Sequence, residues 1–218
     1  MIPSAPMAIL YYSPGAASML VHWLLLELGI AHELRAMDFA TGAHKQPDYL
    51  ALNPSGVVPT LVLDGRPMTE AAAIAMHLAD THPSGGLAPA PGDADRRDYL
   101  QWMLHLANAV QPLFRIWWYP HEVAGEALAE TAREHARPRI EAAWTRIDAH
   151  LAGAGPFLLG ASPCVADFYL VMLMRWSRNM PKPATDWPWL AALATRMKAR
   201  PAFAALCSAE GLEDWRHG

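Results

Sequence analysis

The chain has 218 residues, of which 53% are hydrophobic and 17% are charged, so it can bury a sizeable core as one large domain or two small ones. Its formal net charge of -4 gives no electrostatic basis for binding nucleic acid or an anionic membrane surface. Two cysteines, Cys164 and Cys207, are too few for a disulfide framework or a zinc site, and they favour a reducing compartment.

The N-terminal segment has no basic region and only a short apolar run, which is unlike a signal peptide. Every apolar stretch of the chain is interrupted well before the roughly 18 residues that a membrane-spanning helix needs. We therefore expect a cytoplasmic protein that contacts neither nucleic acid nor a membrane.

The first part of the chain alternates between strand and helix patterns. Residues 8–12 form a β-rich run that ends at Ser13-Pro14-Gly15, and residues 17–28 follow as a helix that is apolar on every face. The later elements are a strand at 33–39, a short helix at 47–52, strands at 57–63 and 66–68 joined by the hairpin signal Asp64-Gly65, and a helix at 69–81. The predicted order is therefore β-α-β-α-β-β-α.

The chain changes character after residue 81, where a stretch rich in proline, glycine and alanine indicates a linker. Beyond it the patterns predict helices alone, at 93–119 with a kink at Pro112, and at 126–151, 165–177, 187–199 and 201–208. Helices joined by short connections pack as a bundle. We therefore predict an α/β domain over residues 7–83, a linker over 84–93 and an all-helical domain over 94–218.

Five segments carry a resemblance to a known family: LYYSPGAAS at 10–18, TGAHKQPDYLALNPSGVVPTLVLDG at 41–65, MTEAAAIAMHLAD at 68–80, SPCVADFYL at 162–170 and ARPAFAALCSAEGL at 199–212. With these motifs on the expected elements, the chain resembles the soluble glutathione transferases, most closely the bacterial beta class, with features of the phi class. The resemblance implies a thioredoxin-like N-terminal domain that binds glutathione as co-substrate, without a metal. It also implies a helical domain that forms the pocket for a second, apolar substrate, and a homodimer.

The resemblance assigns most of glutathione to two segments of the first domain. It implies a cis bond at Val58-Pro59 and pairing of the Val58 main chain with the cysteinyl residue, like an added strand. From the residues alone, an ordinary trans proline in a turn fits equally well. Near Ala71, free N–H groups at a helix start attract the γ-glutamyl carboxylate, and Glu70 accepts from the γ-glutamyl ammonium. The alternative role of Glu70 is to complement the helix dipole.

The resemblance also concerns His44-Lys45, which adds a contact to glutathione, and Ala71, which removes one. The pair His44-Lys45, by resemblance to the phi class, binds the glycyl carboxylate, with a charge-assisted hydrogen bond from Lys45. The alternative is a solvated surface lysine, which is the commoner situation for that residue type. Ala71 stands where many relatives have serine, so one hydroxyl donor to glutathione is missing.

Activation of the glutathione thiol is the part that the sequence leaves open. The thiolate is the nucleophile, and a donor aimed at the sulfur lowers the pKa of the thiol. Beta-class relatives have a cysteine at the position of Ala17 and a His-Lys pair at Ala107-Asn108, so the mixed-disulfide chemistry of that class is not expected. The candidate donors are Ser18 and Ser13 in the turn, Tyr11 and Tyr12 on the strand, and Asn108 across the cleft, with help from main-chain N–H groups near Ala17. Ser18 or Ser13 is favoured, and Tyr12 is their rival. Turn formation and helix capping are the alternative roles of both serines.

Two features of the helical domain have alternative interpretations. The aromatic run at residues 116–120 lines an apolar substrate cleft, or it packs inside the bundle or in a dimer interface. Asp167 is expected to be structural. Cys164, three residues before it, is a weak hydrogen-bonding group, so Ser162 is expected to cap the helix instead.

The sequence is compatible with three alternative functions. Conjugation of glutathione to an apolar electrophile, with a peroxidase side activity of the same thiolate, is favoured. The second is a glutathione-dependent isomerase or dehalogenase. The third is a binding protein without catalysis, which the losses at Ala17, Ala71 and Ala107-Asn108 suggest.

Overall fold

A computed structural model describes residues 8–216, so residue 7 and residues 217–218, at the ends of the two predicted domains, lie outside the described residues. The chain divides into two compact units. One unit consists of the residues up to Gly86 together with those from Lys198 onward, and the other is Leu87–Met197. Sequence patterns place all residues after 93 in one helical domain, whereas the structure groups the last helices with the first unit.

The first unit is built on a mixed sheet. Its elements are β1 Ala8–Tyr12, α1 Ser18–Glu27, β2 His32–Ala36, α2 Pro47–Leu50, β3 Thr60–Leu63, β4 Arg66–Thr69 and α3 Ala71–Thr81. The four strands have the order β2-β1-β3-β4, with β1 parallel to β2 and antiparallel to β3. Leu10 of β1 lies opposite Leu34 on one side and Leu61 on the other. The predicted element order and thioredoxin-like fold are confirmed.

The hairpin between β3 and β4 forms at Asp64-Gly65, as predicted. Both residues have positive φ values, 50° and 74°. A two-residue turn of this kind matches the right-handed twist of the strands that it joins.

Several predicted boundaries in the first unit are wrong. β2 ends at Ala36 rather than at residue 39, and α2 ends at Leu50 rather than at residue 52. β3 begins at Thr60 rather than at residue 57, because the cis peptide Val58-Pro59 precedes it and the ladder with β1 stops at Thr60. α3 begins at Ala71 rather than at residue 69, because Thr69 completes β4 and Glu70 has a φ of 69°, outside the helical range.

The remainder of the described chain is mainly helical. Its helices are α4 Arg96–His105, α5 Gln111–Trp118, α6 His121–Ala124, α7 Ala129–Ala154, α8 Val165–Trp176, α9 Pro188–Lys198, α10 Pro201–Glu210 and α11 Glu213–Arg216. None of the helices within residues 8–216 is long and apolar enough to span a membrane.

The long helix predicted at 93–119 is present, but its winding changes in the middle. A π-helical segment, Leu106–Val110, joins α4 to α5. Pro112 follows it, and a proline lacks the N–H for a helical hydrogen bond while its ring clashes with the carbonyl four residues back. A locally wider turn accommodates both effects, so the predicted kink takes the form of a π-bulge.

α1 is apolar on every side, and α10 supplies part of its cover. α1 packs against β1, α3 and α10, and the rings of Trp23 and Phe203 are 4.8 Å apart. Arg200, just before α10, forms an ion pair with Glu27 at the end of α1. An all-apolar helix needs a partner on each face, which explains why the C-terminal segment belongs to the first unit.

α8 begins with a capping box at Cys164, so the prediction that Ser162 caps this helix is wrong. The Cys164 side chain accepts the main-chain N–H of Asp167, whose carboxylate accepts the Cys164 N–H at 2.8 Å. The other carboxylate oxygen of Asp167 accepts the Leu158 N–H at 2.9 Å. Burial raises the pKa of Asp167 to about 6 and also raises the pKa of the Cys164 thiol. Asp167 is structural, as expected, and Cys164 and Cys207 are both buried and form no disulfide within the described chain.

Candidate functional site

The turn after β1 holds the two predicted serine donors in different environments. The Ser18 hydroxyl is buried, accepts the Ser13 N–H at 3.2 Å and donates to the Ser13 carbonyl at 3.1 Å. Because a hydroxyl has a single proton, the Ser18 side chain is committed to closing the turn. The Ser13 hydroxyl is half-buried and has no hydrogen-bond partner among residues 8–216.

The two tyrosines at the end of β1 face opposite sides of the sheet. The ring of Tyr12 lies 6.0 Å from that of His22, and its hydroxyl has no partner within the described chain. The ring of Tyr11 lies 5.3 Å from that of Tyr49, and its hydroxyl accepts from Arg35 at 2.9 Å. Tyr12 therefore has a free hydroxyl beside the turn, whereas Tyr11 is engaged.

A buried hydrogen-bond network holds the same turn from α10. Glu210 Oε1 lies 2.7 Å from His22 Nδ1, and Glu210 Oε2 accepts the Gly15 N–H at 2.8 Å. Both side chains are almost completely buried. This contact was not predicted, because Gly15 and Glu210 are 195 residues apart and no local pattern links them.

The cis bond at Val58-Pro59, which the resemblance implied, is confirmed. Val58 lies before β3, and its main chain forms no hydrogen bond with another described residue. Its side chain packs in a small cluster with Met37 and Tyr49, and Ala16 of the turn after β1 packs against the same cluster. The structure thus places Ala16 of this turn and Val58 in one packed cluster.

Two buried side chains donate to the carbonyl of Val57, the residue before Val58, and a third side chain links them. The Tyr49 hydroxyl donates to this carbonyl at 2.6 Å, and Asn53 Nδ2 donates to it at 2.8 Å. Thr60 Oγ1 lies 2.8 Å from the Tyr49 hydroxyl and 3.1 Å from Asn53 Nδ2. Burial raises the pKa of Tyr49, which keeps its phenol protonated. The sequence assigned no role to any of these three side chains.

Glu70 occupies the N-cap position of α3 in an unusual conformation. Its φ is 69° and its ψ is 103°, values that a non-glycine residue rarely adopts. The side chain is exposed, makes no capping hydrogen bond and pairs with no other described residue. Ala71 begins the helix directly after it. The first N–H groups of α3 therefore have no side-chain cap.

His44 and Lys45 lie beside the loop that leads to Val58. Lys45 Nζ donates to the Gly56 carbonyl at 3.2 Å. Gly56 has a φ of 58°, and a Cβ there would lie 2.8 Å from the His44 carbonyl oxygen and from Lys45 Nζ, so this turn requires glycine. The His44 ring packs edge-on against Phe39, and its buried Nδ1 has no partner in the described chain.

The remaining candidates lie in the second unit. Asn108 is exposed on the π-helical segment. In the aromatic region, Phe114 and Trp117 are buried, whereas Trp118 and Tyr119 are exposed. Packing within the unit accounts for the buried pair, and the role of the aromatic run in a substrate cleft stays a prediction. Among residues 8–216, no group of three or more His, Cys, Asp or Glu residues is arranged to hold a metal ion.

Comparisons with known proteins point in one direction. Residues 16–81 match the family model of the glutathione S-transferase N-terminal domain, and residues 130–216 match that of the C-terminal domain. Glutathione S-transferase GST-4.5 of Xanthomonas campestris pv. campestris is 35% identical over 204 residues, 93% of this chain and 98% of that protein. Maleylacetoacetate isomerase of Rhizobium meliloti is 32% identical, over 89% of this chain and 93% of that protein. The structure of a sphingomonad glutathione S-transferase complexed with glutathione superposes with a TM-score of 0.82 at 34% identity, covering 94% and 99% of the two chains.

Proposed function

We propose that this chain, a glutathione transferase that belongs to the glutathione S-transferase family, binds glutathione in its first unit and activates the thiol for attack on an apolar electrophile. Each polar part of the tripeptide has a candidate partner. The main chain of Val58, which precedes Pro59, pairs with the cysteinyl residue. Glu70 and the Ala71 N–H bind the γ-glutamyl end, and the His44-Lys45 pair binds the glycyl carboxylate.

The observation that carries the proposal is the conformation of Glu70. A non-glycine residue at a φ of 69° is strained, and strained backbone clusters at ligand-binding sites. A role in complementing the helix dipole requires no such strain. The exposed carboxylate is free to accept from the γ-glutamyl ammonium. The uncapped N–H groups at the start of α3 favour the γ-glutamyl carboxylate next to it.

Ser13 is the thiol activator that we favour. Its hydroxyl has no partner in the described chain, whereas the proton of Ser18 goes to the Ser13 carbonyl. A hydroxyl that donates to the sulfur stabilises the thiolate and lowers the pKa of the thiol. Tyr12 is the second candidate, because its hydroxyl is also free. Asn108 stays a prediction as a partner from the second unit.

The proposed reaction starts from the thiolate, after the thiol proton has left to solvent. A sulfur electron pair attacks the electrophilic carbon, and a carbon–sulfur bond forms as the leaving group departs with its bonding electrons. The peroxidase side activity uses the same thiolate. The sulfur attacks one peroxide oxygen, the oxygen–oxygen bond breaks, and the other oxygen takes up a proton and leaves as an alcohol, or as water from hydrogen peroxide, so that a sulfenic acid remains. The thiol of a second glutathione then attacks this sulfur, forms the disulfide and releases the sulfenic oxygen as water.

Glu70→Gln tests the proposed function. The amide preserves the shape of the side chain but removes the negative charge that faces the γ-glutamyl ammonium. Loss of a charge-assisted hydrogen bond weakens binding by about 1.5–3 kcal/mol. We therefore expect the Kd for glutathione, measured by isothermal titration calorimetry, to rise roughly ten- to hundredfold.

Glu126→Gln is the matched control, because it removes the charge of an exposed glutamate in the second unit. This variant should bind glutathione like the wild type. Equal Kd values for wild type and Glu70→Gln would contradict the role of Glu70. A wild-type protein that does not bind glutathione would refute the proposed function as a whole.

A glutathione-dependent isomerase is the second candidate function, and the similarity to the Rhizobium meliloti isomerase favours it. In such a reaction the thiolate adds to a cis double bond beside a carbonyl, the carbon–carbon bond rotates, and glutathione is eliminated unchanged. Rates on an activated aryl chloride and on a cis-configured unsaturated dicarbonyl compound separate the two functions. Fast turnover of the dicarbonyl compound with poor turnover of the aryl chloride would favour the isomerase.

We also propose that the protein is a cytoplasmic homodimer. Leu100 and Leu104 lie one turn apart on α4, and they are 37% and 51% exposed. Exposed leucines on one face of a helix form an apolar patch that a second copy can cover. The composition of the chain and the resemblance to the beta class support the cellular location.

A further inference from the structure

We infer that Tyr49, Asn53 and Thr60 are positioning residues for glutathione, because together they orient the peptide group between Val57 and Val58. This inference rests on the proposed function, in which the Val58 main chain pairs with the cysteinyl residue of glutathione. None of the three side chains needs to touch the ligand. Their effect is transmitted through one peptide plane.

The hydrogen bonds of this network fit one arrangement of protons. The Tyr49 proton goes to the Val57 carbonyl, and the two Asn53 Nδ2 protons go to the Val57 carbonyl and to Thr60 Oγ1. The Thr60 proton is then left for the Tyr49 oxygen, 2.8 Å away. Every polar hydrogen of the three side-chain groups has an acceptor in this arrangement, and both lone pairs of the Val57 carbonyl are used.

The network is buried, although the loop that it holds lies at the surface. Tyr49, Asn53 and Thr60 are only 4%, 2% and 0% exposed, whereas Val57 is 42% exposed. No main-chain hydrogen bond to another described residue fixes the Val57 carbonyl, since the ladder between β1 and β3 starts at Thr60. The three side chains therefore replace the sheet as the support of this peptide group.

Peptide geometry converts this support into an orientation of the Val58 N–H. Among the described residues, the cis bond is the one between Val58 and Pro59, so the peptide between Val57 and Val58 is trans. In a planar trans peptide the C=O and the N–H point in opposite directions. A Val57 carbonyl drawn into the buried network therefore turns the Val58 N–H away from it. There the N–H is free to donate to the cysteinyl carbonyl of glutathione.

Thr60→Val in the full-length protein tests the inference. Valine preserves the shape and β-branching of threonine, but it removes the acceptor for Asn53 and the donor to Tyr49. Without them the Val57 carbonyl is held less firmly, and the Val58 N–H loses its fixed direction. We expect the Kd and the KM for glutathione to rise about tenfold, the equivalent of one lost hydrogen bond. The kcat should change less than twofold, because the thiol activator lies in another turn.

Two further variants separate positioning from general stability. Thr60→Ser retains the hydroxyl and should restore the wild-type KM. Val62→Ala removes buried packing two residues further along the same strand without touching a hydrogen bond, so it matches the loss of stability. Its KM should stay at the wild-type value. Tyr49→Phe, measured in parallel, should raise the KM as Thr60→Val does, and it provides the readout if Thr60→Val does not fold.

The outcomes distinguish this inference from the proposed function. If wild type binds glutathione but the KM of Thr60→Val and of Tyr49→Phe is unchanged, the positioning role is refuted and the function stands. If Val62→Ala raises the KM as much as Thr60→Val, the effect is one of stability and the inference is also wrong. If wild type does not bind glutathione, both fail.

Discussion

At the scale of a residue, one hydrogen bond separates the roles of Ser13 and Ser18. Ser18 is buried and gives its proton to the Ser13 carbonyl, whereas the Ser13 hydroxyl has no partner in the chain from residue 8 to residue 216. Both were predicted as candidate donors, because a serine in a turn before a helix is typical of capping and of catalysis alike. The direction of one hydroxyl separates the roles, and sequence does not encode it locally.

Ser13→Ala is expected to raise the pKa of the glutathione thiol in the complex, because removal of a donor disfavours the thiolate. A hydrogen bond worth about 1.4 kcal/mol corresponds to roughly tenfold less thiolate near neutral pH. Activity should therefore fall near neutral pH and recover as the pH rises and the thiol ionises. The measurement is a titration of the ultraviolet absorbance of the bound thiolate.

Ser84→Ala serves as the control for this titration, because it removes an exposed hydroxyl elsewhere in the first unit. Its titration curve should coincide with that of the wild type. A curve that moves with Tyr12→Phe but not with Ser13→Ala would assign the donor to Tyr12 instead.

At the scale of elements, sequence patterns succeed where periodicity decides and fail where a tertiary contact or a strained residue decides. β1 has the predicted bounds, and the order of the first seven elements is as predicted. The start of α3 was wrong because Glu70 adopts a positive φ, which the propensities of glutamate do not indicate. Pro112 indicated a kink in a helix, and the structure has a π-helical segment directly before it.

In the candidate site, too, local motifs were recognised in the sequence and tertiary contacts were not. The resemblance assigned Val58-Pro59 and His44-Lys45 to glutathione, and His44-Lys45 lies beside the Gly56 turn that leads to Val58-Pro59. Their support was not predictable from the motifs. Tyr49 and Thr60 come from two different elements, and Glu210 comes from the last part of the chain.

Glu210→Gln tests the support that α10 gives to the turn after β1. The carboxylate serves both the Gly15 N–H and His22, and an amide offers one acceptor oxygen in its place. A buried donor without a partner costs about 1–3 kcal/mol. We expect the unfolding free energy from urea denaturation to fall by about that amount.

Ser208→Ala is the control for Glu210→Gln, because Ser208 is exposed on the same helix. It should unfold at nearly the wild-type urea concentration. A Glu210→Gln variant as stable as the control would show that the buried contact contributes nothing to the turn.

At the scale of the whole molecule, the order of the chain does not follow the boundaries of the two units. Local patterns predicted a helix at 201–208, and the structure has α10 over Pro201–Glu210. α10 belongs to the first unit because it packs against α1, whose surface is apolar and has to be buried. A local pattern shows that α1 lacks a polar face, but it does not identify the helix that covers it.

The exposed leucines of α4 form an apolar surface whose partner is not identified by the sequence either. In a twofold-symmetric dimer each residue near the axis occurs twice, so one substitution changes the interface at two places. Leu104→Lys would bring two unpaired charges into an apolar contact, and burying a charge without a partner costs several kcal/mol. We therefore expect this variant to be a monomer of 23.9 kDa, against twice that mass for the wild type, by light scattering after gel filtration.

Leu128→Lys is the matched control for the dimer, because Leu128 is 59% exposed and lies outside α4. It should keep the wild-type mass, and circular dichroism should show that both variants are folded. A Leu104→Lys protein that remains a dimer would exclude this face of α4 from the interface. A monomeric wild type would refute the dimer and leave the two leucines as isolated apolar side chains, which are common on protein surfaces.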